Sequence, residues 1–241
     1  MKVIILAGGL GTRLAEETEE KPKPMVLIDD KPILWHLMNI FAEQGYAEFI
    51  LALGYRAEVI QEWISHSTDI PKTWSVLGLE TGLNTQTGGR IAQCMRAVPG
   101  ERVMATYGDG LANVSVGTLL SFHERNRKLA TLTAVRPPAR FGYLHSENGI
   151  VTHFGEKNQS DEGWINGGFF VLEPGVETYV ESNSEPFETG ALPRLVKNRE
   201  LMSYHHEGFW QPMDTLREKQ ELAKLALRPT PPWMEGISRD G

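Results

Sequence analysis

The sequence predicts an α/β fold in which helices flank a mainly parallel sheet. Three observations predict it. Short apolar runs rich in β-branched residues alternate with segments whose apolar residues recur at helical spacing. The first run, KVIILA, leads straight into a glycine-rich turn, AGGLGTR. The 241 residues, 41% hydrophobic and 23% charged, suffice to fill one large core.

Each element follows from its pattern. KVIILA is short, β-branched and bounded by glycine, so it reads as a buried strand. KPILWHLMNIFAEQG reads as a helix that ends at Gly45, with Trp35, Met38 and Phe41 as its core-facing residues. AEFILALG is a second buried strand, RAEVIQEWISH a helix and WSVLGLE a strand. GGRIAQCMRAV is a helix beginning at glycines, with Cys94 as a small core residue. RVMATYGDG is a strand that ends in an acidic turn; SVGTLLSFHERNRK is a helix and LATLTAV a strand. After about residue 136 the pattern changes. RFGYLHSENGIVTHFGEK predicts a hairpin with ENG as its turn, and GGFFVLEPG a strand. GALPRLVKNREL and TLREKQELAKLAL predict helices, with a short strand, MSYHHE, between them. His205 and His206 are adjacent on that strand and project to opposite faces, so they cannot chelate one ion; one is expected packed and the other solvated. Without repeats or a Ser/Gly linker, residues 1–241 form a single expected domain, and the Pro-rich tail RPTPPWMEGISRDG lies along its surface or on a partner.

The bulk composition excludes several classes. A formal net charge of −7 speaks against a broad nucleic-acid-binding face, which needs clustered Lys and Arg. A single cysteine excludes an internal disulfide or a multi-thiolate metal site and fits a reducing cytosol, so a cytoplasmic protein is expected. No apolar run reaches the roughly 18 residues of a membrane span. The first strand is followed by AGGLGTR instead of a cleavage-like end, so no leader is expected.

The glycine turn admits several readings. Gly9-Leu10-Gly11 opens like a dinucleotide fingerprint, but Leu14 stands at the third glycine. Asp29 holds the expected acidic position, yet Pro22 and Pro24 interrupt the helix that should lead to it. A P-loop needs Gly-Lys-Ser/Thr, and Gly11-Thr12-Arg13 does not supply it. An empty strand-to-helix turn would have no use for Arg13, Lys21 and Lys23 clustered after it.

The stretch LAGGLGTRL…KPKPM resembles the sugar-nucleotide pyrophosphorylase (nucleotidyltransferase) family. KPILWH, TGGR, TYGDG, PPARFG, EK, INGGFFVL and GFWQPMDT follow in family order along nearly the whole chain. The combination most closely resembles the branch that joins CTP to glucose 1-phosphate. The resemblance implies a Rossmann-like, mostly parallel (mixed) sheet of the nucleotide-diphospho-sugar transferase type, with a nucleotide-binding half at 1–135, an acceptor-binding half at 136–228 and the tail at 229–241. It also implies Mg²⁺ as cofactor and a homo-oligomer.

The chemistry is modest in its demands. A phosphomonoester with a second pKa of about 6 is already largely dianionic near pH 7, so no general base is needed. What remains is to hold two anions in line and neutralise charge as the bond breaks. The resemblance implies that the turn formed by Leu6, Gly8, Gly9, Gly11 and Thr12 cradles the β and γ phosphates, with Arg13 on the leaving pyrophosphate. Lys23, stiffened by Pro22 and Pro24, would bridge the α-phosphate and the sugar phosphate. Arg90 would donate to cytosine O2 and N3, while carbonyls near Gly88 or Gly8 take the N4 protons. Asp109 and Asp214 would hold Mg²⁺; taken singly, the first is an ordinary turn residue and the second an ordinary helix cap. Tyr107, Gly142, Glu156, Lys157, Asn166 and Gly167 would join Lys23 around the acceptor. Asn158 departs from the family's EKP, and the segment from Tyr55 to Thr87 is short for this branch. Two other readings stay open: cytidylyl transfer to another small phosphate or phosphonate, and a regulatory nucleotide-binding protein on the same scaffold. The presence of Arg13, Lys23, Asp109 and Asp214 together argues for the enzyme.

Overall fold

The centre of the sheet is built from the most apolar strands of the chain. A computed structural model describes residues 1–11, 14–137, 142–147, 150–156 and 163–237. Strand β1 (Val3–Leu6) pairs in parallel with β4 (Glu48–Leu53) on one side and with β6 (Val103–Tyr107) on the other, and β5 (Ser75–Glu80) extends the sheet beyond β4. Beyond β6 lies β12 (Phe170–Leu172), antiparallel to β6 and to β8 (Ala130–Val135). The short β11 (Ile165–Asn166) also pairs antiparallel with β8, while β13 (Leu201–His206) runs parallel to it. The sheet is therefore mixed but mostly parallel, as the alternation of patterns predicts.

Period-2 alternation distributes the core to two faces. Val3 and Ile5 join Phe49, Leu51, Leu53 and Met104 on one face; Ile4 joins Ile50, Ala52 and Ala105 on the other. Helix α2 (Ile33–Ala42) covers the first face through Ile33, Leu34, Leu37, Met38 and Phe41. Helix α4 (Thr87–Ala97) and helix α6 (Ala191–Lys197) cover the second through Ile91, Cys94, Leu192 and Leu195. Trp35 differs from expectation: it is half-buried at the margin of α2, where its indole N–H donates to the Asp69 carbonyl at 2.8 Å. Gly45, at φ +88°, ends that helical segment as predicted.

Helices α3 (Ala57–His66) and α5 (Val116–Asn126) stand where the sequence predicts them. So does the hairpin of β9 (Gly142–Glu147) and β10 (Ile150–Glu156). His206 is buried and His205 exposed, the latter stacked on Trp164 at 4.1 Å. The described part of the tail packs against the rest of the chain: Trp233 is 1% exposed and sits beside His36 and Phe209. Two short pairs escape the sequence patterns. A tight hairpin joins β2 (Leu27–Ile28) to β3 (Lys31–Pro32) with Asp29 at φ +59°, so Asp29 is a turn residue and not the end of a Rossmann strand. The second pair unites β7 (Gly110–Ala112) with β14 (Trp210–Pro212). Among the described residues no helix is long and apolar enough to cross a membrane.

Two histidines, His206 buried and His36 half-buried, make the fold sensitive to acid. Burial lowers the pKa of His36, against the opposing pull of the Ile28 carbonyl and of Asp30, and burial likewise lowers that of His206. A folded pKa below the unfolded value of about 6.5 gives stability that is present above that pH and lost as pH falls through the folded pKa. The melting temperature should therefore fall between about pH 7.5 and pH 5.5, less so in His36→Gln. An unchanged melting curve across that range would contradict the assignment.

Candidate active site

The carboxyl ends of β1 and β6 diverge in connectivity: the chain leaves β1 toward β4 and β5, then returns to β6 on β1's other side. Such a switch point opens a crevice in α/β sheets. Here it holds a cavity of about 380 Å³. Four stretches and one isolated residue line it. They are the turn after β1 (Gly8 to Gly11), Lys23 with Pro24, the approach to α4 and its first turn (Leu83, Thr85, Gln86, Thr87 and Arg90), the end of β6 with its turn (Tyr107 to Asp109), and Asp214. Leu6 also contributes.

The glycines are needed where backbone or a cation comes close. A Cβ at Gly8 would run into the Arg90 guanidinium and lie 2.8 Å from the Gly54 nitrogen. Gly11 has φ +65°, a left-handed conformation that other residues rarely adopt. Thr18, from the short helix α1 (Ala15–Thr18), donates its hydroxyl to the Gly11 carbonyl at 3.1 Å and closes this loop. Thr12 and Arg13 lie outside the described residues, as does Lys157. Lys21 pairs with Glu17 at 3.8 Å, an ordinary i, i+4 contact.

Lys23 is the centre of the site. It opens a single 3-10 turn, Lys23–Met25, after the extended Pro22. Its Nζ donates to Asp109 Oδ2 and to Asp214 Oδ1, each at 2.7 Å. Burial works against its charge, but the two carboxylates outweigh burial and raise its pKa. The β7–β14 ladder explains why these aspartates meet. Pro212 pairs with Gly110, and the Met213 amide then donates to the Asp109 carbonyl at 2.8 Å. The next residue is Asp214. It does not cap helix α7 (Leu216–Ala226), because Thr215 does, in a capping box with Glu218. Glu218 also accepts the Asp214 amide at 2.8 Å, which leaves the Asp214 carboxylate directed at Lys23.

Two hard carboxylates aimed at one cation suit Mg²⁺, which takes one or two carboxylates and completes its shell with substrate phosphates and water. Among the described residues there is no cluster of three or more His, Cys, Asp or Glu side chains able to hold a metal by themselves. The donor set therefore fits an ion that arrives with phosphate.

Arg90 lines the cavity but is also a structural pin. Nη1 donates to the Leu53 carbonyl at 2.8 Å and to the Thr81 hydroxyl at 2.5 Å; Nη2 donates to Gly8 O at 2.9 Å and Leu83 O at 3.3 Å. Burial lowers its pKa. Its terminal N–H groups already have acceptors, so a base reaching this arginine must compete for the longest of these bonds. Gly88 is not on the cavity wall: it lets α4 pack on the segment 185–187, and a Cβ there would stand 2.6 Å from the Glu185 carbonyl.

Tyr107 carries the acceptor-side expectation. Its hydroxyl donates to Glu188 Oε1 at 2.6 Å and accepts from Asn166 Nδ2 at 2.8 Å. Burial, then Glu188, pushes the phenol pKa up, so it stays protonated. Gly167 accepts the Trp210 indole N–H at 3.0 Å and packs on Val135. Gly142 and Glu156 face each other in register at the ends of β9 and β10. Sequence reasoning missed Glu188, and also Leu10, Leu83 and Gln86 on the cavity wall. Of these, Leu10 stands inside the quoted glycine turn and Gln86 beside the quoted TGGR motif; Glu188 and Leu83 offered no signal.

The Nucleotidyl transferase family matches residues 2–217. The chain belongs to that family. This nucleotidyl transferase is 42% identical to the glucose-1-phosphate cytidylyltransferase of Salmonella typhi, over 97% of its own length and 98% of the relative's. It is 30% identical to the mannose-1-phosphate guanylyltransferase catalytic subunit beta of Drosophila melanogaster, over 94% of its length and 62% of the relative's. Its fold matches a UDP-glucose pyrophosphorylase solved with UDP-glucose, at TM-score 0.72 and 16% identity, covering 92% of this chain and 97% of that one. The last likeness concerns the fold alone.

Replacing Lys23 by Met should leave two facing carboxylates without their cation. We expect a loss of about 2 kcal/mol in EDTA, below the range for fully buried pairs because Asp109 is 34% exposed. Millimolar Mg²⁺ should restore part of it. A Lys23→Met protein as stable as wild type in EDTA would contradict the arrangement.

Proposed function

We propose that this nucleotidyl transferase joins CTP and glucose 1-phosphate, releasing pyrophosphate and CDP-glucose. The observation that carries the reading is the convergence of Lys23, Asp109 and Asp214 on one side of a glycine-turn cavity. End-to-end similarity to a glucose-1-phosphate cytidylyltransferase supports the choice of substrates.

In this reading an oxygen of the sugar phosphate attacks the α-phosphorus of CTP, and pyrophosphate leaves in line. The sugar phosphate is dianionic near neutral pH, so the protein has only to orient and to neutralise. The turn at Gly8, Gly9 and Gly11 offers main-chain N–H groups to the triphosphate, with Thr12 and Arg13 continuing that cradle. Lys23 gives up its contacts with the two carboxylates as phosphates enter and donates to the α-phosphate and sugar phosphate instead. Asp109 and Asp214, freed of that ammonium, would hold Mg²⁺, which when bound supplies positive charge against the developing negative charge. Arg90 and the Gly8 carbonyl edge the base, and the position of Arg90 is fixed by β4 and the segment before α4. Tyr107, Gly142, Glu156, Lys157, Asn166 and Gly167 surround the acceptor. The labour divides along one domain, with nucleotide at 1–135, acceptor at 136–228 and the tail at 229–241. A homo-oligomer in the cytosol completes the reading, in keeping with a single cysteine that is buried.

Two experiments test it. Asp214→Asn should keep the fold, since the Thr215–Glu218 cap is untouched, yet lower kcat by roughly 10²-fold or more in pyrophosphate release. Near-wild-type turnover at saturating Mg²⁺ would remove Asp214 from the metal role. A nucleotide and acceptor panel should show CTP preferred over UTP, dTTP, ATP and GTP, by up to about 10⁴-fold. Equal use of dTTP would move the chain to thymidylyl transfer. Turnover with a phosphonate but not with glucose 1-phosphate would replace the acceptor and keep the cytidylyl chemistry.

A further inference from the structure

Glu188 lies between two walls of the cavity and belongs to none of the motifs above. Its Oε2 accepts the Thr87 hydroxyl at 2.7 Å, and its Oε1 accepts the Tyr107 hydroxyl at 2.6 Å. Thr87 and Tyr107 both line the cavity, one at the start of α4 and the other at the end of β6.

The direction of every proton in this network is determined. Hydroxyl rotors and amide orientations are usually open to choice. Here two main-chain N–H groups, which can only donate, close the choice. The Gly168 amide donates to Asn166 at 3.0 Å, so the atom it meets is the side-chain oxygen. Asn166 therefore turns its NH₂ group toward the Tyr107 oxygen, which must accept. The Tyr107 proton is then left for Glu188. On the other branch the Phe187 amide donates to the Thr87 hydroxyl oxygen at 2.8 Å, and Thr87 passes its own proton to Glu188. Both chains of donors end on the Glu188 carboxylate, whose two oxygens accept.

We infer that Glu188 is a positioning residue for the acceptor: it takes the Tyr107 proton, so that the Tyr107 oxygen keeps a lone pair toward Asn166 and holds that amide, oriented by Gly168, with its remaining N–H toward a sugar hydroxyl oxygen. The inference rests on the proposed reaction and deepens it. Asn166 Nδ2 carries two hydrogens, and Tyr107 takes one. The other is available to a ligand beside the tyrosine. Without Glu188 the Tyr107 proton would lose its acceptor, and the tyrosine that anchors the Asn166 amide would lose its fixed position. The site would then read a hydroxyl less well, while the triphosphate cradle, built from Gly8, Gly11 and Lys23, would be unaffected.

What Glu188 must supply is an acceptor for Tyr107 and not its charge. Two substitutions separate these. Glu188→Leu removes the acceptor at similar size. Glu188→Gln keeps it, because its carbonyl can take the Tyr107 proton while its NH₂ donates to the remaining lone pair of the Thr87 oxygen.

The test is steady-state pyrophosphate release with Mg²⁺, comparing wild type with the variants. The wild-type assay is run first with glucose 1-phosphate and then with the acceptor panel, and it decides the reaction independently. With the acceptor that wild type uses, Glu188→Leu should raise the acceptor KM about 10-fold, leave the CTP KM within about 2-fold and change kcat less than the acceptor KM. Glu188→Gln should stay within about 3-fold of wild type in acceptor KM. In an Asn166→Ala background, Glu188→Leu should add little, because the two act through one another. If Glu188→Leu does not fold, Tyr107→Phe, which removes the same hydroxyl, should show the same acceptor-selective rise in KM. An unchanged acceptor KM, an equal rise in both KM values, or a Gln variant as impaired as Leu would overturn the role of Glu188. Absence of any turnover by wild type with glucose 1-phosphate would instead overturn the choice of acceptor.

Discussion

The rest of the site depends on one ammonium held between two carboxylates. Lys23 meets Asp109 across 86 positions of sequence and Asp214 across 191. Each partner is delivered by a separate device. Pro22 and Pro24 restrict the backbone on either side of the lysine. The antiparallel pair β7–β14 lays the Asp109 turn against the approach to α7. The Thr215–Glu218 capping box satisfies the helix start, so that Asp214 is not spent on it. A buried ammonium with one carboxylate would be poorly compensated, and two carboxylates without a cation would repel. The three groups are therefore stable together, and under the proposed reaction a phosphate would take the lysine and a divalent ion the aspartates.

Arg90 solves a different problem, that of holding several chain segments at one place. Its guanidinium joins the Gly8 carbonyl after β1, the Leu53 carbonyl at the end of β4, the Thr81 hydroxyl after β5 and the Leu83 carbonyl before α4. A planar fork of donors can serve several carbonyls at once, which a lysine could not do with fixed geometry. The glycines at 8 and 54 leave room for it. This wall of the cavity is thus organised by a buried cation. On the opposite wall the Glu188 carboxylate organises hydroxyls in the same way. Both walls are fixed in advance, and preorganised donors cost no rearrangement when charge develops.

Much of this was legible in the sequence, for physical reasons. Apolar periodicity announced the strands and helices, because burial on two faces of a sheet leaves a direct mark on residue order. The glycine turn, the two prolines around Lys23 and the aspartates in TYGDG and QPMDT stood out by local chemistry, and the structure brings them to one cavity. Short pairings did not. β7, β11 and β14 are two or three residues long, too few for a period to show, and they exist because a partner strand is nearby. Trp35 fits a helical stripe, yet the helix turns it to the margin, where its N–H finds Asp69.

By itself the sequence determined the fold class, the family chemistry and the identities of the charged groups, since each is written in contiguous residues. Only the tertiary structure decided that Lys23 stands between Asp109 and Asp214, that Gly88 serves packing, that Arg90 is committed to main-chain carbonyls and that Glu188 receives two hydroxyl protons. These are contacts between residues 37 to 191 positions apart, apart from those within α4 and its approach. Hydrogen bonds of that kind depend on distances of a few tenths of an ångström, which sheet register and helix packing set and residue order alone does not.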